Sequence, residues 1–342
     1  MQELISTLCS LDGASSAEEA VRKFIREQAE PFAQSIRTDV MGNLIVFKQG
    51  AKPAPNKLML AAHMDEVGLM VRSITEDGYI KFVTLGGIDR RVLLGKRVFV
   101  GTERYPGIIG IKAFHLATED ERKKTPKLSD LYIDMGCESA EDAKALVSAG
   151  DIIVFDGSPR PFGNECLRAK ALDDRVGCAV MLSLLKKPLP LDCTFVFTVQ
   201  EEVGTRGAFG AAFSVKPEIA LVLEGTTAAD LPDMEGQKKV CIPGCGPVIP
   251  FMDGATIYDR ALFELLRELA EKHQIPWQTK HYIAGGTDAG AIQRSRAGVR
   301  VAGISAAVRY LHTSEGVVSR SDCEAMERLS YLFLEAMAQQ VE

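Results

Sequence analysis

Apolar residues recur along the chain with two different periods. Over residues 16–28, Ala20, Val21, Phe24 and Ile25 return at helical spacing and predict an amphipathic helix. Ser16, with Glu19 three positions on, predicts its cap. Residues 57–62 (KLMLAA) form a short apolar run and predict a buried strand. From about residue 67 to 165 the texture changes. VGLMVRSI, YIKFVTL and KRVFVGT are short alternating runs, broken by EDG, GGID and TERYPG, and they predict a small β-rich domain. Within it, residues 117–127 (ATEDERKKTPK) read as an exposed charged loop, and Ser139 as the cap of a short helix ending by Gly150.

Beyond about residue 166, strands are predicted at 193–199, 219–224, 279–283 and 298–305, and helices at 174–187, 256–272 and 322–339. On the last helix Ser321 and Glu324 predict a capping box, with Met326, Leu329 and Phe333 on one face. Alternation of this kind predicts an α/β fold with a mostly parallel sheet and helices on both faces. The division expected is 1–66 and 166–342 for the α/β domain, interrupted by the β-rich insertion 67–165.

Composition narrows the function classes. With 342 residues and 46% hydrophobic content, the chain can bury a large core. Its net charge is −6, and the longest basic block is Arg122-Lys123-Lys124. Nucleic acid is therefore not expected as a partner. No apolar stretch reaches the roughly 20 residues that span a bilayer. The first residues lack a basic segment followed by an apolar one, so no signal peptide is expected and the expected location is cytoplasmic. The eight cysteines are expected to be free thiols. Cys241 and Cys245 have no second Cys/His pair to complete a zinc knuckle.

The candidate chemistry stands mostly at the ends of apolar runs. His63 and Asp65 (AAHMDEVG) are two apart, so in an extended chain they share a side and Asp65 can hold the second nitrogen of His63. A purely structural His–Asp pair would read the same. Asp173 and Asp174 (ALDDRVG) open a helix, where N-capping is the plain explanation. Capping and metal binding are compatible if the first Asp points away from the helix. Glu201 and Glu202 (TVQEEVG) follow the strand CTFVFTV; they serve one site only if the strand ends or kinks there, and are otherwise a solvated loop. Glu224 (ALVLEGT) closes a second apolar strand, and His312 (RYLHTSEG) lies in a polar loop, where a surface histidine is the plain reading. Taken together, these imidazoles and carboxylates are the donor set of a two-metal hydrolytic site.

These stretches also carry a resemblance. TDVMGNLIV, AAHMDEVGLMV, the segment from GIIGIK through HL to LYIDMGCES, KALDDRVG, TVQEEVGTRGA, GGTDAGAIQ and VRYLHTSEG occur in the order found in the M42 family of metalloaminopeptidases, over nearly the whole chain. The resemblance implies a zinc-peptidase α/β domain with a β-rich insertion. It implies that His63 and Glu224 bind one divalent metal ion and Glu202 and His312 another, with Asp173 bridging. Zinc or cobalt is the expected metal. It further implies Glu201 as general base, Asp65 as the orienter of His63, and a cis peptide between Asp173 and Asp174. Many relatives have Asp where this chain has Glu224, which still offers a carboxylate one methylene further out. Short peptides are the implied substrates, and a homo-oligomer, up to a dodecamer, is implied through the insertion.

GGTDAGA (Gly285 to Ala291) is expected to shape the pocket wall, with Asp288 structural. His115, in the insertion, reads as a surface residue, the alternative being one that reaches an active site, a neighbouring subunit's included. The competing readings are a related dinuclear deacylase or carboxypeptidase, and an inactive scaffold.

Overall fold

The computed structural model describes residues 1–53 and 57–340. In chain order, its strands are β1 (Ser35–Thr38), β2 (Leu44–Lys48), β3 (Leu58–His63), β4 (Gly68–Ile74), β5 (Ile80–Leu85), β6 (Arg97–Val100), β7 (Tyr105–Gly110), β8 (Tyr132–Asp134), β9 (Ile152–Phe155), β10 (Arg160–Phe162), β11 (Cys166–Ala169), β12 (Cys193–Thr198), β13 (Ile219–Thr227), β14 (Arg300–Arg309) and β15 (Gly316–Ser319). Its helices are α1 (Gln2–Ser10), α2 (Glu19–Ala29), α3 (Glu119–Lys123), α4 (Ala140–Leu146), α5 (Leu172–Leu185), α6 (Arg206–Val215), α7 (Arg260–Lys272), α8 (Asp288–Gln293) and α9 (Arg320–Gln339).

Strands β4 to β9 close into a six-stranded barrel around Leu69, Val71, Phe82, Val98, Ile133 and Ile153. The others form one nine-stranded sheet in the order β1-β2-β12-β3-β13-β14-β15-β11-β10. The prediction of a mostly parallel sheet needs correction. Only the pairings among β12, β3, β13 and β14 are parallel, and the outer pairings are antiparallel. Short connections explain three of the antiparallel pairings. A few residues join β1 to β2, β10 to β11 and β14 to β15, too few for the crossover a parallel pair requires.

Helices cover both faces, and the alternation of side chains sorts the core accordingly. Leu58, Leu60, Phe195, Phe197, Leu221, Leu223 and Ile304 face the larger core, with α1, α2, α5, α7 and α9. Met59, Ala61, Val196, Ala220, Val222 and Val301 face the smaller one, with Ala208, Ala211, Ala212, Ala289 and Ile292 of α6 and α8. The same parity carries His63 and Glu224 onto the α6/α8 side, because they continue the series 59, 61 and 220, 222. Parallel strands thus deliver both residues to one edge of the sheet.

Several local predictions differ from the structure. Residues 279–283 form no strand. Gln278 makes an isolated bridge to Val248, and Tyr282 and Ile283 are exposed. β15 takes the outer edge of β14 only at Val308 and Arg309; at Ser305 that edge meets Val248 in a single bridge, and Gln278 reaches only Val248, so no ladder forms over 279–283. Ser16 does not cap α2; it has φ +77° and its N–H donates to Glu18. Ser321 lies inside the first turn of α9, and Ser319 precedes the helix. Residues 119–123, predicted as loop, make a helical turn with Thr118 and Glu121 as a capping box, and they are exposed as expected. Ser139 caps α4 as predicted.

Candidate metal centre

The end of β3 brings His63 to the carboxyl edge of the parallel strands, 1% exposed. Its Nδ1 lies 3.0 Å from the backbone carbonyl of Asp65 and 3.5 Å from Asp65 Oδ1. The nearer acceptor is thus the main chain of Asp65 rather than its carboxylate. With Nδ1 donating, Nε2 is left to face Asp173 Oδ1 at 3.4 Å and Glu224 Oε2 at 3.5 Å.

The two aspartates before α5 divide the tasks open to them. Asp174 Oδ1 accepts the Gly177 N–H at 2.9 Å and caps the helix. Asp173 has non-helical φ/ψ, the peptide between the two is cis, and its carboxylate points to the sheet edge. Its Oδ1 accepts the Gly225 N–H at 3.1 Å. Gly225 is required there, because a Cβ would fall 2.7 Å from Asp173 Oδ1.

His312 stands in the loop after β14 at φ +57°. Its Nε2 lies 3.4 Å from Asp173 Oδ2 and 3.2 Å from Glu202 Oε2, while its Nδ1 is 2.8 Å from the Gly87 carbonyl. Asp173 therefore turns one oxygen to each histidine. Two triads result, His63–Asp173–Glu224 and Asp173–Glu202–His312, each with its donor atoms within 4.8 Å of one another.

Glu201 and Glu202 reach the same edge because β12 ends at Thr198 and the chain turns at Gln200, φ +56°. Asp65 anchors this turn: its carboxylate accepts the N–H groups of Glu201 at 2.9 Å and Glu202 at 3.2 Å, and the Ser15 hydroxyl at 2.6 Å. Asp288, at the start of α8, is fully buried and bonded to the Thr198 hydroxyl. His115 is exposed and belongs to neither triad. The eight cysteines are free thiols; Cys241 is buried and Cys245 exposed.

Negative charge dominates the electrostatics. Burial pushes the carboxyls of Glu201 and Glu224 well above the usual range, with His63 opposing and neighbouring carboxylates adding to the rise. Burial likewise lifts Glu202 to about 8 and Asp288 to about 6. Burial alone would raise Asp173, but hydrogen bonds from His312 and His63 outweigh it and hold that carboxyl below the ordinary value. Burial would depress both histidines; Asp173 and the other acids override it, taking His312 to about 9 and His63 well above its usual value. Glu202 Oε1 and Glu224 Oε1 are buried without a hydrogen-bond partner. Orphaned carboxylate oxygens beside two imidazoles suit divalent cations.

Sequence reasoning did not anticipate the Gly87 carbonyl, which appeared only as part of a turn signal, since a backbone acceptor has no residue signature. It also missed Arg175, fully buried, whose guanidinium donates to the carbonyls of Met64 at 2.8 Å and Leu8 at 2.5 Å and so ties the 63–66 segment to α5.

Residues 42–329 match the family model of the M42 glutamyl aminopeptidases. The lysyl aminopeptidase of Pyrococcus furiosus is 31% identical, over 98% of this chain and 97% of that one. The aminopeptidase APDkam598 of the archaeon Desulfurococcus kamchatkensis superposes with a TM-score of 0.93 at 35% identity, covering 100% of this chain and 97% of that one. The TET1 peptidase of Pyrococcus horikoshii, which can assemble into a tetrahedron or a large octahedral shell, gives 0.84 at 32% identity, covering 98% of each.

The raised values set a pH dependence for the chelated protein. A carboxyl raised from 4.5 to about 8, as in Glu202, contributes stability that is full below 4.5 and lost as pH rises through about 8. His312, raised from 6.5 to about 9, loses its contribution as pH rises through about 9. Asp173 acts oppositely, but only at the acid end, below 3.8. The melting temperature with chelator present should therefore fall between about pH 5 and about pH 9. A rise over that window would contradict the charge balance described.

Proposed function

The chain belongs to the M42 glutamyl aminopeptidase family and is a peptidase; from that premise we propose that it removes the N-terminal residue of short peptides at a centre of two divalent metal ions. The observation that carries this reading is the placement of Asp173, with one oxygen toward each histidine. His63 and Glu224 would hold one ion, Glu202 and His312 the other, and Asp173 both. Glu224 is kept as a ligand despite its extra methylene, since its Oε2 lies beside His63 and its Oε1 has no other partner. Zinc or cobalt suits two imidazoles with three carboxylates. Such ions, when bound, acidify water and polarise a carbonyl.

The remaining chemistry belongs to the chain. Glu201 accepts the proton of the attacking water at its carboxylate and returns it to the leaving amine. Nearby cations would make that carboxyl too acidic to hold a proton, and its burial works against them. Asp65 orients His63 through its carbonyl and the Glu201–Glu202 turn through its carboxylate. The substrate's α-ammonium group meets the negative field of Glu201, Glu202 and Asp173, which selects a free N-terminus. Asp288 supports the wall through Thr198.

The chain divides in this reading into a zinc-peptidase-like catalytic domain, 1–66 and 166–342, and an insertion, 67–165. The insertion is the assembly domain of a homo-oligomer, with dodecamers and smaller forms both open to it. In its support, Phe114 and Leu116 stand 73% and 63% exposed on the barrel, a costly display for a monomer. No helix among the described residues is long and apolar enough to cross a membrane. All eight cysteines are free, which suits a reducing compartment such as the cytoplasm.

Glu201→Gln should cut turnover by about 10²–10⁴-fold, as expected for a lost general base, while metal content stays near wild type. Most of the activity surviving would remove Glu201 from that role. A short peptide should be cleaved from its N-terminus, and its N-acetylated twin should resist. A deacylase would prefer the capped peptide, a carboxypeptidase would release the C-terminal residue from either, and a scaffold would cleave neither. Efficient C-terminal release from the capped peptide would sink the aminopeptidase reading.

A further inference from the structure

Four consecutive amides after β12 are held by side chains from elsewhere in the chain. Val199 N–H donates to Asn43 Oδ1 at 3.1 Å and Gln200 N–H to Glu18 Oε1 at 3.2 Å. Glu201 and Glu202 donate to the two oxygens of Asp65. The carbonyls of the same turn are also engaged. Gly207 donates to Val199, Arg206 to Gln200, and both Gly204 and Thr205 to Glu201. The turn is thus specified from both sides, around a Gln200 in a left-handed conformation that a residue with a Cβ disfavours.

Glu18 is the least expected member of this cradle. It precedes α2 in the N-cap position, yet its side chain makes no capping bond to the helix. Instead its Oε1 accepts the Ser16 N–H at 2.9 Å and the Gln200 N–H. It is 2% exposed and close enough to Asp65 for the two negative charges to interact. Three residues earlier, Ser15 donates to the Asp65 carboxylate. The 15–18 segment therefore braces the Glu201–Glu202 turn twice, once through Asp65 and once directly. A buried carboxylate beside another carboxylate is a costly acceptor where a cap alone would serve.

We infer that Glu18 is a positioning residue for peptide hydrolysis: by fixing the Gln200 amide it holds the part of the turn that aims Glu201 into the site. This rests on the base role proposed for Glu201. Glu18 acts through the backbone and does not reach the reacting atoms.

The test compares Glu18→Ala and Glu18→Gln, each alone and in a Glu201→Gln background. A small displacement of a catalytic group is costly, so Glu18→Ala should lower kcat by about 10- to 100-fold, with KM within about threefold and metal content unchanged. In the metal-free protein, amide exchange over residues 199–202 should quicken. Glu18→Gln keeps an oxygen acceptor and should restore kcat to within about threefold of wild type. On the residual rate of Glu201→Gln, Glu18→Ala should have no further effect, because its action passes through Glu201. A kcat for Glu18→Ala within about twofold of wild type, or a full additional loss in the Glu201→Gln background, would overturn the inference. Should Glu18→Ala fail to fold, Glu18→Asp withdraws the acceptor while keeping the charge; it should show the kcat loss, and full activity would overturn the inference equally. An active Glu201→Gln enzyme would defeat the base assignment and this inference with it. A wild-type-like Glu18→Ala beside an inactive Glu201→Gln would defeat only the positioning role.

Discussion

Asp65, Asp173, Glu201, Glu202, Glu224 and Asp288 are gathered at one edge of the sheet, against two imidazoles, His63 and His312. Carboxylates of this number, with Asp65, Glu224 and Asp288 buried and Asp173, Glu201 and Glu202 half-buried, cannot all be ionised without positive charge among them. The protein can protonate them, at a cost that grows with pH, or hold cations. Much of the surrounding architecture follows from keeping the acids in place while they repel one another.

The scaffold does this mainly with backbone groups. Gly225 N–H holds Asp173, the Gly87 carbonyl holds His312, and the carbonyl of Asp65 holds His63. Arg175 and Lys170 are the buried cations closest to this system, and both are committed elsewhere. Arg175 binds carbonyls of α1 and the 63–66 segment, and Lys170 pairs with Glu66 at 2.5 Å. Neither neutralises the triads. Gly87 lies just after β5 of the barrel, so the orientation of His312 depends on how the barrel meets the sheet.

How much of this was legible in the sequence depended on the kind of interaction. Strand parity follows from a local period, so the apolar runs placed His63 at the end of its strand, as the structure finds it, whereas Glu224, read as closing its strand, lies inside β13, which continues to Thr227. The aspartate pair was read as capable of both capping and pointing into a site, and the structure gives one task to each residue. The antiparallel strands β1 and β10 at the sheet's margins were missed because they are short and largely exposed, so no apolar run marks them. Residues 279–283 have strand-like composition, yet only the neighbouring Gln278 makes a bridge, to Val248. Ser16 failed as a cap because α2 begins only at Glu19, with Glu18 in the cap position, and Ser16 lies two residues earlier in a left-handed turn. The cradle of Glu18, Asn43 and Asp65 joins residues more than 130 positions apart through main-chain amides, and no spacing rule reports that.

The central claim is that Asp173 serves two cations at once. Elemental analysis of dialysed protein tests it most directly, comparing Asp173→Ala with His312→Ala. The account predicts metal lost from both positions in the first variant and chiefly from one in the second. Equal and small losses in the two would contradict it.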